Sequence, residues 1–181
     1  MKKIIHTLTC IIVLLTISSL FVYMYIPSNT IFTVLVSFIT TSYHFVMRIA
    51  VGYAVDGIYH NKIDYKKSWF QVSKKENEIY DIIKVKEWKK HMPTYSPETF
   101  SLKHHTLEEI AMSMCQSEVV HEIIVVLSFL PILVIPSLGK PLVFILTSFL
   151  AACFDLIFVI MQRYNRPRIV KLIEKRKSRL S

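Results

Sequence analysis

The sequence predicts an all-α integral membrane protein with four transmembrane helices. A cytoplasmic helical segment lies between spans two and three, and a basic surface helix ends the chain. Three observations predict this. Hydrophobic residues make up 52% of the 181 residues, against 19% charged. They gather into long unbroken runs rather than the short alternation of strands. Of the 22 Lys and Arg residues, only Arg48 and Lys140 fall away from one side of the implied topology, a strong positive-inside signal.

A formal net charge of +9 on so apolar a chain fits a membrane protein with cationic ends better than a soluble nucleic-acid binder. Three glycines are too few for a collagen repeat, and neither an NAD nor an ATP glycine loop is present. Cys10, Cys115 and Cys153 are an odd number without zinc spacing or a disulfide framework.

The first span covers residues 4–26, which contain no Asp, Glu, Lys or Arg. A helix of that length is roughly 34 Å long at about 1.5 Å per residue, enough to cross a hydrocarbon core. Lys2 and Lys3 resemble the n-region of a signal peptide, but no Ala precedes Ala50 and the run is long for an h-region. A retained span is expected. Pro27, Ser28 and Asn29 make a turn, and the second span covers 31–55, interrupted by Arg48. The third and fourth, 121–138 and 141–163, are divided by Gly139 and Lys140. Charge places both termini in the cytoplasm of a multi-pass cell-membrane protein, treated as one membrane domain over 1–181.

The cytoplasmic segment, about 57–117, carries aromatic anchors from Tyr59 and Tyr65 to Tyr95 and Phe100. Glu76 to Lys90 reads as one short helix with Ile79, Ile82, Ile83 and Trp88 on an apolar side. A basic helix with a Trp suits a membrane surface, and a solvated charged face over a packed Trp is the plainer alternative. Pro93 and Pro97 interrupt structure. Thr106-Leu-Glu-Glu109 reads as a capping box. The helix it starts runs toward span three, with Leu107, Ile110, Ala111, Met114, Glu118, His121 and Val125 on one stripe.

Four polar constellations carry the chemistry. Glu118-x-x-His121, beside Glu122, puts a carboxylate and an imidazole on one face. A carboxylate can orient an imidazole as general base toward a hydroxyl. The plainer alternative is mutual capping at the interface. A metal site at Glu118, His121, Glu122 and His44 is a further possibility, although a di-iron bundle needs two such motifs. His44, Arg48, Gly52 and Asp56 form a second stripe, each four residues apart. There Arg48 either binds a phosphate or carboxylate headgroup, pairs with Asp155, or snorkels. Asp155 is itself an improbable lipid-facing residue. The fourth is Gln162-Arg-Tyr-Asn-Arg-Pro-Arg168. Pro167 predicts that the helix ends near Asn165. Three guanidinium groups then gather where the chain leaves the membrane and suit phosphates, with stop-transfer charge as the alternative. The basic tail, 164–181, reads as an amphipathic surface helix from Ile169 to Leu180.

The QRYNRPR motif following an apolar span resembles the bacterial glycosyl-4,4'-diaponeurosporenoate acyltransferase family of the staphyloxanthin carotenoid pathway. Glu118 and His121 match its Glu-x-x-His element, and Trp88-Lys89 a Trp-Lys element. Residues 118–168 carry most of the similarity and 69–93 a weaker part. Tyr43-His44 through Arg48 is similar to a feature of related bacterial chains. The resemblance implies transfer of a fatty acyl group onto a sugar hydroxyl of a lipid glycoside at the membrane. Its expected partners are membrane lipid, an acyl donor and the glycoside acceptor, with no nucleic acid. No bound cofactor or metal is expected, and acyl-CoA, acyl carrier protein and lipid are all open as donor.

On this reading His121, oriented by Glu118, deprotonates the acceptor. Arg163, Asn165, Arg166 and Arg168, with Trp88, Lys89, His44 and Arg48, serve the donor or substrate, and Asn165 or Arg48 stabilises the oxyanion. The spacing His60-x-x-x-Asp64 and the lack of a G-x-S-x-G elbow exclude two other acyl-transfer signatures. The rival reading is non-enzymatic: a membrane protein that binds anionic lipid or a partner through its basic face.

Overall fold

The computed structural model describes residues 2–92 and 97–179. Pro93, Tyr95 and Leu180, named above, lie outside the described residues. Among those described the chain is all-helical, and four of its helical segments are long and apolar enough to cross a membrane. The chain divides into two compact units: Met1–Gly52 with Ile123–Asp155, and Tyr53–Glu122 with Leu156–Ser181.

In the first unit α1 (Lys2–Tyr25) stops just before Pro27, which disfavours helix at the residue preceding it. Ser28 Oγ accepts from Ile31 N at 3.2 Å and starts α2 (Asn29–Tyr59). Thr16 Oγ1 lies 2.7 Å from Ser42 Oγ and donates to Phe38 O at 3.1 Å, joining α1 to α2. Most of α1 is outward-facing and apolar, as a lipid-contacting helix requires.

The buried stripe of α2 in this unit is Val36, Thr40, His44, Met47 and Val51. Asp155 lies on α7 (Pro141–Lys177), and Arg48 Nε donates to its Oδ2 at 2.9 Å. Of the readings open for Arg48, pairing with Asp155 is the one observed.

The third span differs from expectation. Its α-helix, α5 (Leu107–Leu127), ends well before residue 138 and passes into a 3-10 turn (Leu130–Val134) and a short α6 (Ile135–Leu138). Pro131 is the cause: it lacks the N–H that would bond Leu127 C=O. Tyr43 OH donates to that carbonyl instead, at 2.8 Å. A free carbonyl there would be costly in lipid.

In the second unit two capping boxes set the helix starts. Thr106 and Glu109 exchange the expected bonds at 2.8 and 3.2 Å and open α5. Ser73 and Glu76 do the same for α3 (Lys74–Ile82). The expected single helix over Glu76–Lys90 is broken. Lys84 adopts φ 53, a left-handed conformation, and separates α3 from α4 (Val85–Trp88). The reason is packing: Tyr80 and Val85 are buried against Tyr164, and an unbroken helix would not present both there. Ile79, Ile82 and Ile83 consequently face outward. A second core gathers Ile63, Tyr65, Phe70, Ala111, Cys115 and Ile173.

The helix does not end near Asn165 either. α7 continues through Pro167 to Lys177, so the basic tail prolongs the fourth span. Proline inside a helix costs about 3 kcal/mol. The arginines flanking Pro167 are held by charge-assisted bonds, each worth roughly 1.5–3 kcal/mol, which offset that cost.

Candidate functional site

The site in the second unit is built on Glu118. Its side chain is fully buried, one turn before His121 on α5. Glu118 Oε1 accepts from Arg163 Nη1 at 2.7 Å, and Oε2 accepts from Arg166 Nη1. Arg166, 1% exposed, also donates through Nε and Nη2 to Phe70 O at 3.2 and 2.5 Å. Its guanidinium lies over the Phe70 ring. Arg163 donates to Glu76 Oε1 at 2.9 Å, to Trp69 O at 3.0 Å and to Gln71 O at 3.3 Å. The two arginines thus clamp α5, the turn at Ser68–Phe70 and the start of α3 onto α7.

This clamp explains the electrostatics of Glu76. Partial burial raises its carboxyl, but the bonds from Arg163 and Ser73 outweigh burial and bring it down to about 2. Glu76 was not among the expected site residues. The signal that marks it is the Ser73-x-x-Glu76 capping pattern, which places a carboxylate at a known helix start.

The Trp-Lys element and the end of the QRYNRPR motif make a second cluster, centred on buried Tyr164. Lys89 Nζ donates to Asn165 Oδ1 and lies 4.7 Å from the Tyr164 ring centroid. The Arg168 guanidinium lies 3.8 Å from the same ring, and Nη1 donates to Tyr164 O at 3.1 Å. Two cations therefore share one aromatic ring. Burial lowers the Lys89 ammonium below its usual range, and the charges of Arg168 and Lys86 lower it further. An anion placed between them would relieve that repulsion. Trp88 packs beside this core and donates Nε1–H to Ile83 O at 3.0 Å.

His121 stacks on Phe158 of α7, with ring centroids 4.8 Å apart and planes at 13°. Glu122 Oε2 accepts from Trp69 Nε1 at 3.1 Å. Among the described residues no group of three His, Cys, Asp or Glu side chains is placed to hold a metal ion. His44 and Arg48 belong to the first unit. Arg48 reaches Asp155, Ala151 O and His44 O.

The family model for glycosyl-4,4'-diaponeurosporenoate acyltransferase matches residues 66–175. The match takes in the Trp-Lys element, the Glu-x-x-His element and the whole QRYNRPR motif. The chain belongs to the glycosyl-4,4'-diaponeurosporenoate acyltransferase family. The family's name implies acyl transfer to a glycosyl carotenoid, with an acyl donor and a glycolipid acceptor as partners. No curated protein and no solved structure matches the chain. Within the acyltransferase family match, Glu118, Arg163 and Arg166 form one ion-pair network, while Lys89, Asn165 and Arg168 gather around Tyr164.

Proposed function

We propose that this chain is a cell-membrane acyltransferase that moves a fatty acyl group from an activated donor onto a sugar hydroxyl of a lipid glycoside. The observation that carries this reading is the family match over 66–175, which spans both clusters just described. Both termini lie in the cytoplasm on this reading, as the distribution of Lys and Arg requires.

His121 is the base. It takes the acceptor's hydroxyl proton as the oxygen attacks the donor carbonyl carbon. The bond from that carbon to the leaving group then breaks, and the leaving group recovers the proton from His121. Stacking on Phe158 supports the orientation of the ring. Glu118 serves as a positioning residue: its two oxygens accept from Arg163 and Arg166, which supports a structural share for these arginines. Lys89 and Arg168 hold the donor's phosphate or other anionic group. Asn165 accepts from Lys89 through Oδ1, and its Nδ2 is the group that donates to the oxyanion.

The test is untargeted lipidomics on cells expressing this chain, beside cells expressing His121→Ala at equal membrane abundance. A lipid glycoside that gains one acyl mass only with the intact chain is the expected result. No difference, in a host supplied with candidate glycolipids, refutes the reading. One observation favours the second reading, anionic-lipid binding. Leu102, Leu107 and Leu172 line a groove of about 650 Å³ together with Lys175, Arg176 and Arg179. That reading predicts that charge reversal at Lys175 and Arg176 weakens binding to anionic vesicles while His121 tolerates change.

A further inference from the structure

Among the described residues, the first unit contains two buried polar side chains whose hydrogen-bonding atoms no protein group satisfies. His44 is 4% exposed, and neither Nδ1 nor Nε2 has a partner; Ser148 is fully buried, and its Oγ has none. Each lies mid-stripe on its helix. His44 follows Val36 and Thr40 at spacings of four on α2, and Ser148 stands between Phe144 and Ala152 at the same spacing on α7.

The two helices are joined at two levels. Arg48 of α2 bonds Asp155 and Ala151 O of α7. At the other end Lys140, one residue before α7, bonds Asn29, the first residue of α2. The helices therefore run parallel in nearly constant register. That register sets His44 and Ser148 roughly one turn apart, about 6 Å along the helix axes. Thr40, on the same stripe, satisfies itself by donating to Val36 O at 2.7 Å. His44 Nδ1 and Nε2 and Ser148 Oγ make no such bond.

Inside a hydrocarbon layer, a polar group left unsatisfied costs several kcal/mol, and intramembrane ionisable residues mark ligand paths. We propose that His44 and Ser148 form a binding site for an uncharged sugar hydroxyl within the membrane-spanning unit, next to the Arg48–Asp155 pair. The ligand chemistry follows from the groups. A neutral imidazole offers one donor and one acceptor, and a serine hydroxyl offers both. Asp155 already accepts from Arg48, so a ligand anion has no cation here to itself. The naming of a glycoside as ligand rests on the function proposed above.

The experiment uses the full chain in lipid nanodiscs without any acyl donor. Binding of dodecyl β-D-glucoside and of its fully O-methylated derivative is measured by calorimetry, with empty nanodiscs subtracted. The methylated probe keeps the chain and ring but donates no hydrogen bond. Wild type is expected to prefer the free glucoside by about tenfold or more, the worth of one well-made hydrogen bond in a buried site. His44→Phe and Ser148→Ala are each expected to reduce that preference toward unity. Ser148→Ala removes only a hydroxyl and decides the matter if His44→Phe does not fold. Equal affinity of the two probes for wild type, or an unchanged preference in both variants, overturns the proposal. Because this assay measures no transfer, binding of glucoside here together with no acyl product in the lipidomic test refutes the enzymatic reading and leaves this site standing. Acyl transfer with no effect of either substitution on binding does the reverse.

Discussion

Removal of the Glu118 carboxylate should be the most damaging single truncation in the second unit. Glu118 is fully buried, and Arg166, one of its two partners, has a side chain only 2% exposed. Arg163 keeps Glu76 and two carbonyls when Glu118 is lost. Arg166 keeps the Phe70 carbonyl and ring and the neighbouring Cys115 thiol, none of which is a carboxylate. Glu118→Ala therefore strands a buried guanidinium, and breaking a buried pair this way costs about 3–5 kcal/mol. Glu118→Gln keeps one acceptor and should lose roughly half as much. If the cost arises from the stranded charge, Glu118→Ala with Arg166→Met should be far less than additive, with a coupling of about 2 kcal/mol or more. The assay is denaturant unfolding in detergent, followed by the fluorescence of Trp69 and Trp88, the two tryptophans of the chain. Both lie in this unit. A loss below about 1 kcal/mol for Glu118→Ala, or strict additivity in the double variant, would refute the reasoning.

Other expectations follow from the same contacts. Glu76 has its folded pKa lowered from 4.5 to about 2, so its contribution is complete above the unfolded value and is lost as pH falls toward about 2. Unfolding midpoints of wild type should therefore fall more steeply than those of Glu76→Gln between pH 5 and 2; parallel curves would contradict this. Tyr43→Phe leaves Leu127 C=O without the donor that replaces the missing Pro131 N–H, and thermal unfolding should show a loss of about 1–3 kcal/mol. Lys89→Ala and Arg168→Ala should each raise KM for an anionic donor severalfold, with kcat little changed and a weaker dependence on salt. An unchanged KM in both would remove the donor role from the Tyr164 cluster.

Periodicity and charge made much of the architecture legible. Four apolar runs each correspond to a helical segment of spanning length, because hydrophobic length is a property of the local chain. The Thr106–Glu109 box was readable because both partners lie within one turn. Asp155 could be proposed for Arg48 because an isolated charge in either span is expensive. Less was legible wherever a choice depended on a distant surface. Pro131 ends α5 as its chemistry requires, yet Pro167 does not end α7. Arg163 and Arg166 on the near side of Pro167 are bound to Glu118 and to the carbonyls of Trp69, Phe70 and Gln71.

The sequence by itself therefore determined the helical class, the spanning lengths and which residues bring charge into apolar surroundings. Each of these depends on neighbours within a few turns. Tertiary structure alone decided which carboxylate each arginine meets and which aromatic ring two cations share. It also decided which buried polar atoms find a protein partner and which, at His44 and Ser148, do not. Those outcomes depend on which helix faces meet, and a local pattern does not encode the energy of a contact between residues dozens of positions apart.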